Sequence, residues 1–152
     1  GLANAVSLWR GGMAYYYLAS LGATLGHCWP LYANFRGGKA VSALAGMVVA
    51  TSWFLSIFGM VFFVILKNKK FVSLSSIIAS STVVLAALAM FLTDYFVPGS
   101  FNFGMWGNGT LFLVGWDYFA TILIITIILI FRHHENIKRL ARNEENKVRW
   151  IK

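Results

Sequence analysis

Three short polar segments interrupt a sequence that otherwise carries few charges, and the first of them could bind a phosphate group. It is GHCWPLYANFRGGK, residues 26–39. Pro30 disfavours helix in the residue before it, and the pair Gly37 and Gly38 permits backbone conformations that are closed to other residues. Consecutive amides in such a turn can wrap an anion, and Lys39 would add a positive charge. The alternative is a basic turn with flexible glycines, and this segment alone leaves both open.

The second segment, KKFVSLSSI at residues 69–77, brings three hydroxyl groups close together. Ser73, Ser75 and Ser76 could line a polar site at a membrane surface. Serines at the start of a helix more often serve as N-caps. Both interpretations stay open on these residues alone.

The third segment, FRHHENIKRLAR at residues 131–142, could supply an acid or a base. We expect it to continue the last apolar helix directly, with His133 and Asn136 on one face. Arg132, Glu135 and Arg139 would form a neighbouring charged stripe. Histidine exchanges protons near neutral pH. The alternative is a solvated helix end, whose cations the helix dipole and anionic lipids both favour.

The composition tells what kind of molecule must position these segments. The chain has 152 residues, of which 59% are hydrophobic and 12% are charged. Soluble domains carry roughly 25% charged residues, and a fold of this size is mostly surface. A disordered chain would be poor in hydrophobic residues. The composition therefore excludes both classes and predicts an integral membrane protein.

The distribution of charge supports the same class. Thirteen Lys and Arg residues give a net charge of +8, and they lie in short clusters between long uncharged runs. Polytopic membrane proteins place cations this way at their cytoplasmic ends, whereas a nucleic-acid-binding domain shows a continuous basic face. We therefore expect contact with a lipid bilayer and no nucleic-acid partner. A single cysteine, Cys28, excludes an internal disulfide, and we predict neither a metal nor a cofactor.

The uncharged runs are long enough to cross a bilayer as helices. They are residues 11–35, 40–66, 71–93 and 109–131, the last interrupted only by Asp117. About 20 apolar residues span the bilayer core, and residues 122–131 lack the alternation of a barrel strand. We predict an all-α, polytopic membrane bundle that forms one transmembrane domain over residues 1–152. Short or broken helices would surround a polar site at its inner face.

The cations also predict the path of residues 40–66. Lys67 to Lys70 and residues 132–152 would lie inside, and residues 94–110, which lack Lys and Arg, would form an outside loop. If Lys39 is also inside, residues 40–66 must dip into the membrane and return, with a break near residues 51–52. The alternative is one straight helix of roughly 40 Å. On the broken path all three polar segments reach the same membrane face.

Taken in order, the three segments resemble motifs of the bacterial acyl-phosphate:glycerol-3-phosphate acyltransferases. The motif G-H-x-F-P-x-F-x-x-F-K-G-G-K-G is matched at Gly26, His27, Pro30, Phe35, Gly37, Gly38 and Lys39, with similar residues at Trp29, Tyr32 and Arg36. A later R-Y-x-S-L-x-S-I is matched at Lys70, Phe71, Ser73, Leu74, Ser76 and Ile77. The motif R-H-x-x-N-I-x-R-L, followed by a glutamate, is matched at Arg132, His133, Asn136, Ile137, Arg139, Leu140 and Glu145. The resemblance covers residues 26–145.

The chain also departs from the family pattern. Ala40 and Asn143 stand where the family has glycines. The family begins with a helix and a G-S-G-N-x-G-x-T-N loop followed by an arginine, and residues 10–12 are a poor substitute for it. We expect the chain to be an N-terminally incomplete family member. If it is the whole protein, a catalytically impaired relative is the alternative.

The resemblance implies direct transfer of an acyl chain from acyl phosphate to the 1-hydroxyl of glycerol 3-phosphate, giving lysophosphatidate and phosphate. Such a site needs mainly positioning and charge stabilisation. The implied phosphate-binding residues are Gly37, Gly38, Lys39 and Ser73, and the implied catalytic residues are His133 and Asn136. His133 is a candidate base, unless the substrate's own phosphate takes the proton. The implied supporting residues are His27, Arg132, Arg139 and Glu145.

The implied location is the inner membrane of a bacterium, with several crossings and the C-terminus in the cytoplasm. A competing hypothesis is a protein without catalytic activity, such as a small transporter or a subunit that packs on a partner. Small residues at Gly22, Gly26 and positions 43–46 would suit close helix packing. That hypothesis leaves the three ordered motifs unexplained.

Overall fold

The computed structural model describes residues 13–107 and 114–147, and every regular element in these two ranges is a helix. The α-helices there are α1 Met13–Cys28, α2 Val41–Thr51, α3 Trp53–Gly59, α4 Val61–Lys69, α5 Val72–Phe96, α6 Trp116–Arg132 and α7 His134–Ala141. Short 3-10 turns lie at Leu31–Ala33 and Asn102–Gly104. The all-helical prediction is confirmed for these residues. The predicted single domain over the whole chain stays a prediction. Residues 1–12, 108–113 and 148–152 lie outside the described residues, and with them residues 10–12 and parts of the predicted loop 94–110, the run 109–131 and the inside segment 132–152.

Helix α5 is the long apolar element of the bundle. Its 25 residues extend about 38 Å at 1.5 Å per residue, and it is the one described helix long and apolar enough to cross a bilayer unaided. The pair α6 and α7 makes a second candidate span if the two are counted together. The predicted run at 71–93 is thus one helix, whereas the run at 40–66 is not.

The predicted break at residues 51–52 is confirmed. Ser52 has extended backbone (φ −143°, ψ 116°) between α2 and α3. Its hydroxyl accepts a hydrogen bond from the Leu55 amide at 3.1 Å and donates one to the Gly104 carbonyl at 2.7 Å. A serine can cap a helix in this way, so the hydroxyl starts α3 and ties the joint to the loop predicted to lie outside. A second interruption at Met60, between α3 and α4, was not predicted.

The core lies where α5 and α6 pack against α1 to α3, and α4 packs on α5 outside it. On α6 the buried side chains recur every three or four residues, which is the spacing of one helix face: Tyr118, Ile122, Ile125 and Leu129. The Tyr118 hydroxyl lies 2.7 Å from the Thr51 hydroxyl, so α6 is also tied to the end of α2. Gly22, Gly26 and Gly46 face open space, since a Cβ on any of them would meet no atom within 4 Å.

The prediction that residues 131–142 directly continue the last apolar helix is wrong. Helix α6 ends at Arg132, and α7 leaves it at an angle of 55°. His133, between them, has φ −96° and ψ 3°. Its ring Nδ1 lies 2.8 Å from the Leu129 carbonyl oxygen, which its own amide also contacts at 3.1 Å. A side chain that competes for a helical carbonyl bends a helix.

Candidate active site

One hydrogen-bonded network joins the three polar segments. Lys39 Nζ donates to Asn136 Oδ1 at 2.7 Å. Asn136 Nδ2 donates to Glu145 Oε1 at 2.8 Å, and Ser73 Oγ donates to the same oxygen at 2.6 Å. These contacts confirm that the three segments reach the same end of the bundle. They require residues 40–66 to run away from that end and return to it.

The turn at Gly37 and Gly38 is held by close packing and by Arg132. A Cβ on Gly37 would overlap the carbonyl oxygens of His27 and Cys28, and a Cβ on Gly38 would overlap the His27 ring. Arg132 Nη2 and Nε donate to the Gly37 and Gly38 carbonyls at 2.9 and 3.1 Å. The glycines therefore let this turn pass close to the end of α1.

This arrangement corrects the reason given for the two glycines. Neither has a positive φ, so close approach and not an unusual backbone conformation requires glycine there. The Gly38 amide already donates to the His27 carbonyl at 2.8 Å. The predicted wrap of consecutive amides around an anion is therefore wrong at Gly38, and its carbonyl faces Arg132 instead. Lys39, next to the turn, keeps its ammonium group in the polar network.

His133 is almost fully buried, with 2% of its surface exposed. Its Nδ1 faces the Leu129 carbonyl, and because a carbonyl only accepts, Nδ1 carries the proton in the neutral ring. The lone pair is then on Nε2. Burial lowers the pKa of His133. The hydrogen bond to the Leu129 carbonyl opposes this in part, and the smaller effects of Lys39, which lowers the pKa, and Glu145, which raises it, oppose each other. A neutral histidine with a free ring nitrogen can accept a proton.

Glu145 anchors the network, and its side chain is only 10% exposed. Burial alone would raise the pKa of Glu145, but hydrogen bonds from Ser73, Asn136 and Arg139 outweigh it and lower the pKa to about 2. The Arg139 Nε lies 3.0 Å from Oε2. Burial also lowers the pKa of Lys39, as do the Arg139 and Arg132 cations, while Glu145 opposes them. The Lys39 ammonium group is thus partly desolvated, and a bound anion would stabilise its charged form.

Two predictions about polar side chains on α5 and α7 are contradicted by their contacts. Ser75 and Ser76 donate to carbonyls four residues back within α5, and the cap position of α5 is Phe71 without a side-chain cap bond. The N-cap alternative for these serines is therefore wrong. Glu135 pairs with Lys138 on the exposed side of α7, whereas Arg132 binds the turn carbonyls and Arg139 binds Glu145. The predicted charged stripe of Arg132, Glu135 and Arg139 therefore does not form.

Two cavities meet at Lys39. The polar one, of about 330 Å³, is lined by Lys39, Val41, Phe62, Val72, Ser73, Ser76, His133, Asn136 and Glu145. The apolar one, of about 480 Å³, is a groove between α2, α3, α4 and α5 that shares Lys39, Val41, Phe62 and Ser76 with it. The groove was not predicted from the sequence. The small residues Ala45, Gly59 and Ala79 on three of its helices were the available signal, but their relation depends on the helix break.

The two departures from the family motifs occupy left-handed backbone. Ala40 has φ 62° and Asn143 has φ 58°. A left-handed conformation costs an ordinary residue about 1 kcal/mol or more and costs glycine almost nothing. Asparagine tolerates it better than most residues. The chain therefore keeps, at both positions, a backbone shape that glycine favours.

Comparison with known proteins identifies the family of this chain. Residues 2–143 match the family model described as glycerol-3-phosphate acyltransferase. The chain belongs to that family. A family member from Staphylococcus aureus, named glycerol-3-phosphate acyltransferase, is 37% identical over 135 residues, and one of the same name from Listeria welshimeri is 35% identical over 138 residues. The alignments cover 88% and 90% of this chain, and 55% and 58% of those relatives. The chain thus spans little more than half the length of these family members.

Solved structures of a family member share the fold. PlsY (YgiH), described as an integral membrane glycerol 3-phosphate acyltransferase, has crystal structures in a glycerol 3-phosphate form and a lysophosphatidic acid form. Each superposes with a TM-score of 0.64 at 26% identity, covering 87% and 86% of this chain and 57% and 58% of that one. The predicted family and the predicted helical membrane bundle are both confirmed. The roles of individual site residues stay predictions.

Proposed function

We propose that this chain transfers an acyl group from acyl phosphate to the 1-hydroxyl of glycerol 3-phosphate, as part of phospholipid synthesis. One observation carries the proposal: a polar cavity with a cation, an amide and a buried histidine shares four lining residues with an apolar groove. Such a pair of cavities suits a substrate with a charged head and an apolar tail. The family name and the two ligand forms of PlsY support the same chemistry.

The charged heads of the substrates would bind in the polar cavity. Lys39 would exchange its bond to Asn136 for a phosphate oxygen, and Ser73 would donate to the same group. Gly37 and Gly38 would serve by bringing the backbone close, with Arg132 and His27 holding the turn. Arg139 and Glu145 would keep Asn136 in place. A charge-assisted hydrogen bond is about twice as strong as a neutral one, so Lys39 would contribute most.

The transfer step would use His133 and Asn136. The 1-hydroxyl oxygen of glycerol 3-phosphate would attack the acyl carbon, and the bond between that carbon and the phosphate oxygen would break. His133 Nε2 would take the hydroxyl proton, unless a substrate phosphate does so, and the Asn136 amide would donate to the oxygen where charge develops. Two bound reactants held in line gain most of their rate from positioning. The products would be lysophosphatidate and inorganic phosphate.

A phosphate-release assay tests the function. Chain purified in detergent should release inorganic phosphate from palmitoyl phosphate, and the release should depend on glycerol 3-phosphate. The matched control is the Gly37→Ala variant, which should be inactive because its turn cannot form. Release that is absent from folded wild-type chain would favour a non-catalytic relative or a small transporter. Release without glycerol 3-phosphate would identify a hydrolase instead.

We infer that the polar end of the bundle faces the cytoplasm of a bacterial cell, with the C-terminus there. The cations at Lys67, Lys69 and Arg142 lie near that end, and such clusters favour the inside. In a variant without Cys28, a cysteine at position 34 or 68 should react with an impermeant thiol reagent only after the membrane is opened. A cysteine at position 102 should react in intact cells. Reaction at position 34 in intact cells would refute this orientation.

A further inference from the structure

The apolar groove has a closed end, because of how α2 and α3 are joined. A single residue, Ser52, connects these helices, so they converge there and leave no room between them. The buried Thr51 and Leu55 fill the joint. The groove lining accordingly stops about one turn short of it, at Val48 and Val49 on α2 and Ser56 on α3.

The depth of the groove limits how much of an acyl chain it holds. From Val41, at the polar cavity, to Val49 is eight residues, or about 12 Å along a helix. With carbon–carbon bonds of about 1.5 Å in a zigzag, that length holds roughly nine carbons. The side of the groove is open, since Val49, Met60 and Phe63 are 59%, 56% and 60% exposed. The rest of a longer chain can therefore leave sideways into lipid.

Gly59 lies on the wall of this groove between its closed end and its polar end. A Cβ built on Gly59 meets no atom within 4 Å, so a larger side chain there would enter the groove without disturbing the packing. Gly59 is one turn from Ser56, about 4.5 Å, which leaves about 7 Å, or roughly five or six carbons, on the polar side. Gly59 thus faces the middle of the chain that the groove can hold.

We propose that Gly59 determines acyl-chain selectivity: its lack of a side chain lets a donor longer than about six carbons lie in the groove. This inference rests on the proposed function for the identity of the ligand. A Gly59→Leu variant would fill the groove beyond the sixth carbon. The variant would displace roughly three of the nine carbons from the groove into lipid, and losing the contacts of even one methylene group in a hydrophobic pocket changes kcat/KM by about tenfold or more. The variant should therefore lose at least tenfold in kcat/KM for palmitoyl phosphate and less than threefold for hexanoyl phosphate.

The control for this variant is Gly46→Leu. Gly46 lies on α2 and also faces open space, but it does not line the groove. This variant should treat both donors as the wild type does. A Gly59→Ala variant should fall between the wild type and Gly59→Leu. Both Gly59 substitutions replace the last residue of α3, a glycine, by better helix formers, and thermal unfolding should show that they fold.

A crosslinking experiment tests the groove without turnover. A phosphonate analogue of palmitoyl phosphate, with a photoreactive diazirine on its eighth carbon, should label the wild-type groove around Val48 and Ser56. The labelling yield in Gly59→Leu should fall at least tenfold, with Gly46→Leu unchanged. If the wild type labels in this way but releases no phosphate, the proposed function fails and the selectivity role of Gly59 stands. Equal labelling in folded wild type and Gly59→Leu, or equal losses with both donors, would overturn the selectivity role.

Discussion

Replacing Gly37 by alanine should dismantle the turn that presents Lys39. The added Cβ would overlap the His27 and Cys28 carbonyl oxygens and the Pro30 ring. All of these atoms are fixed by the backbone, so no side-chain rotation can relieve the overlap. The turn must move away, and the two hydrogen bonds from Arg132 to the turn carbonyls are lost. At about 1.5–3 kcal/mol for each bond to a charged group, the loss is about 3–6 kcal/mol.

The matched control is Gly26→Ala, near the end of α1. Its Cβ would enter open space, and alanine is the better helix former by about 0.8–1 kcal/mol, so this variant should be as stable as the wild type or more so. Thermal unfolding in detergent measures both variants, and phosphate release measures their activity. Since a displacement of about 1 Å can cost a hundredfold in rate, Gly37→Ala should lose at least that much. A melting temperature and activity equal to wild type would refute the close-approach explanation.

Three further predictions concern the polar network. Lys39→Ala should raise KM for the substrates about tenfold to a hundredfold, because a charge-assisted contact of about 1.5–3 kcal/mol is lost; an unchanged KM in folded protein would contradict the assignment. His133→Ala and Asn136→Ala should each lower kcat at least about a hundredfold, with the exposed His134→Ala within threefold, and the wild-type acid limb should lie below pH 6.5 because burial lowers the pKa of His133. Equal losses in all three variants would make this helix end a simple anchor. Glu145 has its pKa lowered from 4.5 to about 2, so its stabilisation is complete above pH 4.5 and is lost as the pH falls towards 2. The unfolding free-energy difference between wild type and Glu145→Gln should shrink over that window, and a constant difference would contradict the network.

The helix break could be predicted because charge and length constrain it together. Cations on both sides of residues 40–66 require an even number of crossings, and Ser52 offers a cap for a new helix. An even number of crossings also brings the three polar segments to the same membrane face. These inferences need no knowledge of side-chain positions. They depend on where charges can lie relative to a bilayer.

The contacts that hold the site could not be predicted in the same way. Arg132 lies 94 and 95 residues from the glycines whose carbonyls it binds, and nothing in its local sequence indicates that partner. The bend at His133 arises because its ring and its amide contact the same carbonyl, a choice of rotamer that the residue type does not specify. The width of the groove depends on the angle between α2 and α3 at Ser52. Each feature follows from packing between distant elements.

Ala40 and Asn143 show which departures from a motif leave a site intact. In the sequence, each removes a glycine close to a predicted site residue: Ala40 follows Lys39 directly, and Asn143 lies two residues before Glu145. In the structure both residues adopt the left-handed backbone that glycine favours, and the neighbouring Lys39 and Glu145 still bind Asn136. The cost is strain of about 1 kcal/mol at the alanine and less at the asparagine. A substitution that keeps the backbone shape changes the stability of a loop, whereas one at Gly37, where neighbouring atoms fill the space, changes its position.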